Sequence, residues 1–257
     1  MNPVAIVTGS SQGIGRGIAL GLAELGYNLV VNFVPPVEPA EETRKMLEDK
    51  GVECVLAEAS IADAPDRRRL LDAAMDAWGR IDLLVNNAGV GVKVRGDLLD
   101  SADEADFERV MAINCRGPYF LSLEAAKIMI DLKKQGVVET PRIVITSSFS
   151  AWVVSTSRGA YCISKAGAHM AAQLLAARLA PEGIPVLEIA PCVIDTPMIA
   201  PVRDKYLKLA EDGTIPMGRL GTAEDISRVV QAFARGDLDY CTGQQIVVGG
   251  GMQIQQL

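Results

Sequence analysis

Short, nearly continuous apolar runs alternate along this chain with longer stretches whose apolar residues recur at helical spacing. Residues 4–8 form the first run. Ile18, Leu22 and Leu25 then mark one face of a helix, and Gly26 ends it. The pattern repeats as a strand over 28–34, a stiff loop over 35–39, a helix over 41–50 stopped by Gly51, a strand over 52–57 and a helix over 63–78. A strand over 81–85 follows, then a helix over 101–114 in which Ser101 and Glu104 have capping-box spacing. After Gly117-Pro118 a helix runs to Lys134, and a strand over 142–146, a helix over 159–181 and a strand over 185–190 come next. Residues 191–222 read as irregular apart from a short helical piece over 204–211; a helix over 223–235 and a strand over 245–248 finish the pattern. Such alternation predicts a parallel sheet covered on both faces. No linker, repeat or low-complexity segment interrupts it, so residues 1–257 are expected to form one doubly wound α/β domain with a seven-stranded parallel sheet.

Composition narrows the picture. The chain has 257 residues, 49% hydrophobic and 22% charged, enough for one well-buried core. A net charge of −7 gives no electrostatic footprint for nucleic acid or an anionic membrane. The apolar runs fall short of the roughly 18–20 residues a membrane span needs, and because residues 1–3 lead straight into the first strand no targeting segment is expected. Cys54, Cys115, Cys162, Cys192 and Cys241 are scattered and lack metal-ligand spacing, which predicts reduced thiols, a cytoplasmic protein and no metal site. His169, the single histidine, leaves no basis for a histidine triad.

Two stretches carry chemistry. Gly9, Gly13 and Gly15 are spaced G-x-x-x-G-x-G between a strand and a helix, where a backbone without side chains can approach a pyrophosphate on the helix N-terminus. Tyr161 and Lys165 lie four residues apart in the helix over 159–181, one turn apart on one face. A free phenol titrates near ~10, too high for a base at neutral pH. A cation about 4–6 Å away at an effective dielectric near 20 favours the phenolate by roughly 3–4 kcal/mol, so the pair predicts a tyrosine pulled down toward working pH. Taken singly, the first motif is also a tight turn and the second an ordinary helix surface.

Together they fall into a larger register. Thr8 with Gly13-Ile14-Gly15, Asn86-Asn87-Ala88-Gly89, Asn114, Ser148, Tyr161-x-x-x-Lys165 and Pro191 with Thr196 follow one another along essentially the whole chain. In this the sequence resembles the short-chain dehydrogenases/reductases, close to the 3-oxoacyl-acyl-carrier-protein reductase-like branch. The resemblance implies a Rossmann fold, an NAD or NADP cofactor and interconversion of a secondary alcohol with a ketone. It implies Tyr161 as general acid/base, Lys165 as the residue that lowers its pKa and holds the nicotinamide ribose, Ser148 as the group on the substrate oxygen, and Asn114 as holder of a relay water. Ser147 is the competing serine; spacing to Tyr161 favours Ser148. Gly9, Ser11, Gln12, Gly13, Ile14, Gly15, Phe33, Ser60, Ile61, Asn87, Ala88, Gly89, Pro191, Ile194 and Thr196 would border the dinucleotide. A homotetramer built on helix 117–134, on the small-residue helical stretch around 166–177 and on the C-terminal strand and tail is also implied.

Several positions depart from the family pattern. Phe33 stands where NAD-preferring relatives carry an Asp for the ribose, and Gln12 and Val34 stand where NADP-preferring relatives carry a cation. With neither signal present, NAD is the better expectation, since a 2′-phosphate without a cation loses more; Arg16 or Arg44 is a cation that reverses this if it reaches the site. Ser60 replaces the usual adenine partner, Cys192 the Gly after the family's Pro, and Gly249 an Asp of the C-terminal signature. Arg158, three residues before Tyr161, is read either as a receptor for an anionic group on the substrate or as a loop cation bound to a carboxylate or to solvent; Lys93 and Arg95 invite the same two readings. Trp152, Val153, Val154 and Met198 are expected as pocket walls, and 191–221, carrying Met198, Tyr206 and Met217, as a lid. His169, Cys162 and Cys192 are read as packing residues. The expected substrate is a small polar sugar, polyol or hydroxy acid. The alternatives are a 3-oxoacyl thioester and, in another class, a dinucleotide-binding sensor or scaffold without turnover.

Overall fold

The computed structural model describes residues 1–254; the last three residues of the expected domain and C-terminal tail lie outside it. Seven parallel strands form one sheet: β1 (Val4–Val7), β2 (Asn28–Phe33), β3 (Cys54–Glu58), β4 (Leu83–Asn86), β5 (Arg142–Thr146), β6 (Val186–Pro191) and β7 (Gln245–Val248), in the order β3-β2-β1-β4-β5-β6-β7. β1 is apolar throughout because both its faces are covered, as parallel sheets require. Its residues alternate between two cores. Val4 and Ile6 face Leu70, Leu71, Leu121, Met129 and Leu175 from α3 (Ala64–Trp78), α5 (Gly117–Lys134) and α6 (Gly159–Leu179). Ala5 and Val7 face Ile18, Leu22, Leu47, Ile226 and Phe233 from α1 (Gly13–Glu24), α2 (Glu38–Glu48) and α8 (Ala223–Ala234). The strand order reverses between β1 and β4, and a crevice opens there beyond the carboxyl ends of the strands. No helix of the described residues is long and apolar enough to cross a membrane.

Two helix starts differ from the sequence expectation. The Pro-rich loop gives way to α2 already at Glu38, because Pro39 occupies the first turn, where its missing N–H costs nothing. α4 (Glu104–Met111) begins three residues later than its pattern predicted; Asp103, not Ser101, is the cap, its carboxylate accepting from the Asp106 amide at 2.6 Å. The same helix does not stop at Asn114. Residues 112–116 widen into a π-helical turn, with the Gly117 amide bonded to the Ala112 carbonyl, and continue directly into α5. Such wide turns commonly mark functional positions, and Asn114 sits in the middle of this one. Residues 191–221 contain α7 (Arg203–Glu211) and pack on a small core of their own around Val193, Ala210, Ile215 and Leu220.

Candidate active site

A cavity of about 610 Å³ occupies the crevice, and every residue expected to border a dinucleotide lines it. At one end the β1–α1 loop is held close to the β4 end. The Thr8 hydroxyl accepts the Asn87 and Ala88 amides at 2.9 and 3.0 Å, and the Asn32 carboxamide oxygen accepts the Gly9 amide at 2.9 Å. Gly9 has φ +63°, and a side chain there would come within 3.0 Å of the Ala88 Cα; a Cβ on Gly15 would collide with the Gly9 carbonyl. These glycines leave a bare backbone cradle at the α1 N-terminus, which fits the pyrophosphate of a dinucleotide.

The other end of the cavity holds the acid–base groups. A short 3-10 turn over Phe149–Ala151 is capped by Ser148, whose hydroxyl accepts the Ser150 amide at 3.1 Å and so is fixed beside Tyr161. Both Ser147 and Ser148 line the cavity, but the Ser147 hydroxyl is tied to the Glu188 carboxylate, whereas the Ser148 hydroxyl is the one that meets the Tyr161 phenol. Tyr161 and Lys165 sit in the first two turns of α6, the Lys165 Nζ 5.7 Å from the phenol ring centre and donating to the Thr146 carbonyl at 3.0 Å. The Arg158 guanidinium covers the same ring at 5.4 Å. Asn114 is buried, its Oδ1 accepting the Val90 amide at 2.8 Å and its amide donating to the Val90 carbonyl and the Ser164 hydroxyl. A Cβ on Gly89 would stand 3.4 Å from Asn114 Oδ1 and 3.5 Å from Lys165 Nζ, so these two atoms border one small space.

Electrostatics at Tyr161 run opposite to the helical-spacing argument. That argument predicts a lowered phenol; in the folded chain desolvation by the surrounding walls pushes it up, against the Ser148 hydroxyl and the Arg158 and Arg95 charges, which pull it down. Lys165 is itself buried, and burial brings its ammonium down from 10.5 to about 8, opposed by the Glu188 carboxylate. Spacing counts the attraction and misses the desolvation of both partners.

Glu188 is the main element that sequence reasoning passed over. It lies in β6 with a fully buried side chain. Besides Ser147, its oxygens accept the Gln245 amide and face His169 Nδ1 at 2.7 Å. His169 is therefore more than a packing residue of α6: it joins a polar cluster that includes Ser147, the neighbour of Ser148, and whose Glu188 charge acts on Lys165. A single acid inside the run Val186-Leu187-Glu188-Ile189-Ala190 was the available signal, since an ion in a central strand needs partners.

Other expectations divide. Arg158, Met198, Val153, Val154, Tyr206 and Arg95 line the cavity; Trp152, Lys93 and Met217 do not. The 3-10 turn carries Trp152 outward, 45% exposed and edge-on to Phe149. Arg16 donates to the Ser11 and Pro39 carbonyls, Thr43 and Glu42, and Arg44 pairs with Glu41 and Glu48, so both cations are spent outside the cavity. Cys192 and Gly249 prove to be one change: a Cβ on residue 249 would run into the Cys192 sulfur, so the larger residue in one loop is matched by the smaller in the other. Burial holds the Cys192 thiol up at about 11, in line with a packing residue.

Residues 9–253 match the family model described as enoyl-(acyl carrier protein) reductase. The 3-oxoacyl-[acyl-carrier-protein] reductase of Staphylococcus aureus is 33% identical over 252 residues, 98% of each chain. The 3beta-hydroxysteroid dehydrogenase 1 of Eggerthella lenta is 33% identical over 250 residues, 97% of this chain and 93% of its own. A 3-oxoacyl-[acyl-carrier protein] reductase from Brucella melitensis, solved in complex with NAD, superposes with a TM-score of 0.94 and 37% identity over 100% of this chain and 99% of its own. With this fold, this cavity and full-length similarity, the chain belongs to the short-chain dehydrogenase/reductase family and is an NAD(P)-dependent oxidoreductase.

Proposed function

We propose that this enzyme interconverts a secondary alcohol and a ketone on a small polar hydroxy or oxo compound, with Tyr161 as the general acid/base. One observation carries the reading: Ser148, Tyr161 and Lys165 meet at one end of the cavity whose other end is the bare glycine cradle. The glycine loop, Asn87–Gly89, Ile194 and Thr196 would hold the dinucleotide, which supplies the hydride acceptor or donor when bound. In the oxidative direction the Tyr161 oxygen takes the carbinol proton while the Ser148 hydroxyl holds the carbinol oxygen and stabilises charge developing on it. Lys165 offsets the negative charge that this leaves on the tyrosine. The space between Asn114 Oδ1 and Lys165 Nζ suits a water that returns the proton to solvent. Residues 191–221 cover the cavity through Met198, Ile199, Tyr206 and Leu209 and are proposed to be the segment that excludes water once substrate is in place. NAD is the favoured cofactor, because Phe33 and Val34 close the β2 end and Arg16 and Arg44 are held elsewhere.

Tyr161→Phe tests the proton step. The variant should bind reduced dinucleotide about as tightly as wild type in a fluorescence titration and lose nearly all turnover. Retained turnover rejects Tyr161 as the acid/base. A second reading, reduction of a 3-oxoacyl thioester, draws support from the names of the Staphylococcus and Brucella relatives. The steroid dehydrogenase is as similar as the former, so identity near one third does not choose between substrates.

A further inference from the structure

The chain is acidic overall, with 32 Asp and Glu against 25 Lys and Arg, yet the wall of its main cavity carries the opposite sign. Arg95, Arg158, Lys165 and Lys205 line it, and no Asp or Glu does. Elsewhere the arginines are spent. Each is held by a carboxylate, such as Glu42 on Arg16, Asp239 on Arg142 or Asp195 on Arg203, or, for Arg116, by the Ala62 carbonyl. The guanidinium groups of Arg95 and Arg158 alone among them make no ion pair or hydrogen bond with the described residues; Arg158 donates only through its backbone amide, to the Ser155 carbonyl. Arg158 also borders a smaller neighbouring pocket containing Asp103 and Asp106, but those carboxylates are occupied: Asp103 caps α4, and Asp106 takes Arg109 and the Lys93 amide.

Two guanidinium groups without counter-ions among the described residues, in a cavity that none of their acids lines, are a receptor for an anion. Their place fixes which molecule brings it. The phosphates of a dinucleotide belong at the glycine cradle, whereas the Arg158 guanidinium lies 5.4 Å from the centre of the Tyr161 ring, at the acid–base end of the cavity. Arg95 is close enough for its charge to act on the same phenol. We infer that the substrate carries a carboxylate one or two carbons from its carbinol carbon, received by Arg158 with Arg95 beside it, so that the enzyme acts on hydroxy acids and the corresponding oxo acids. This rests on the alcohol–ketone reading above and narrows it. The apolar residues Val153, Val154, Met198 and Leu209 would take the rest of the molecule. A 3-oxoacyl thioester has no charge at that distance from its ketone.

The test pairs 2- and 3-hydroxy acids with their methyl esters and primary amides, assayed with NAD and with NADP. In wild type kcat/KM should favour each acid over its neutral partners. In Arg158→Gln that preference should fall about tenfold to hundredfold, through KM, the loss expected for one charge-assisted hydrogen bond. Arg158→Lys should keep part of it, and Arg95→Gln should show a smaller fall. A role for Arg158 only in tuning Tyr161 would slow acid and neutral substrates alike and leave the ratio unchanged, which overturns the inference. So does turnover of neutral partners as fast as of acids. Calorimetric titration of malonate into the protein–NADH complex gives a readout independent of turnover. Binding weakened at least about tenfold in Arg158→Gln supports the anion site even if no alcohol on the panel reacts, in which case the alcohol–ketone reading fails by itself. Malonate binding that Arg158→Gln does not change overturns the anion site.

Discussion

Replacing Lys165 by methionine, which keeps the length of the side chain and removes its charge, tests the electrostatic cost on which the acid–base end is built. Lys165 is 4% exposed, and burial moves its ammonium from 10.5 down to about 8. At roughly 1.4 kcal/mol per pH unit, that displacement is a penalty of about 3 kcal/mol for carrying the charge inside the folded chain. The native state holds this proton less tightly than the unfolded chain does. The penalty is therefore complete below about pH 8 and is relieved as the pH climbs from there toward 10.5. Wild type should gain about 1 kcal/mol relative to Lys165→Met between pH 8 and 9, since the native ammonium is only half titrated at pH 8, and the difference should be flat below pH 7. Cys54 and Cys192, both raised to about 11 by burial, work in the opposite sense above pH 9. They are present in both proteins and cancel in the comparison. Urea unfolding of the two proteins without dinucleotide, at closely spaced pH values, gives the curve directly. Parallel pH profiles would refute the idea that a strained buried ammonium sits beside Tyr161. Lys165→Met should be inactive at every pH whichever way the stability curves fall.

Two further substitutions probe the supports of the site. Glu188→Leu strands the buried Ser147 hydroxyl and takes the acceptor from His169 Nδ1 and the Gln245 amide, which are only partly buried, and should lower the unfolding free energy by about 1–3 kcal/mol, while Glu188→Gln, which keeps an acceptor, should lose markedly less. Equal losses in urea unfolding would mean that the negative charge, which both variants lack, and not an acceptor atom alone, is what Glu188 supplies. Gly249→Ala should cost about 1–3 kcal/mol by overpacking against the Cys192 sulfur, and the same change should be nearly neutral in a Cys192→Gly background. Additive effects in that double-mutant cycle would separate the two positions.

What the sequence could show follows from how far apart the interacting residues lie along the chain. The glycine cradle and the Tyr161–Lys165 pair are local, set by spacing within one turn or one helix, and the strand-helix alternation that frames them is a pattern of neighbours. Trp152 was misjudged although it is only four residues from Ser148, because the turn over Phe149–Ala151 decides which way a side chain points, and no periodicity encodes that turn. Pro39 reads as part of a stiff loop in the sequence yet lies in the first turn of α2, because position within a helix, not the residue, decides whether proline is tolerated. The Glu188 cluster draws on β6, β7, α6 and the end of β5, segments brought together only by the sheet order. The charge of the cavity was the hardest to foresee, since net charge is a sum and a site is a difference. In this chain the acids that outnumber the bases are used on the outside, one after another, to neutralise arginines. Arg95 and Arg158 lie where the described residues supply no such partner. An acidic protein can for that reason hold a cationic cavity, and the unpaired arginines, not the total charge, say what enters it.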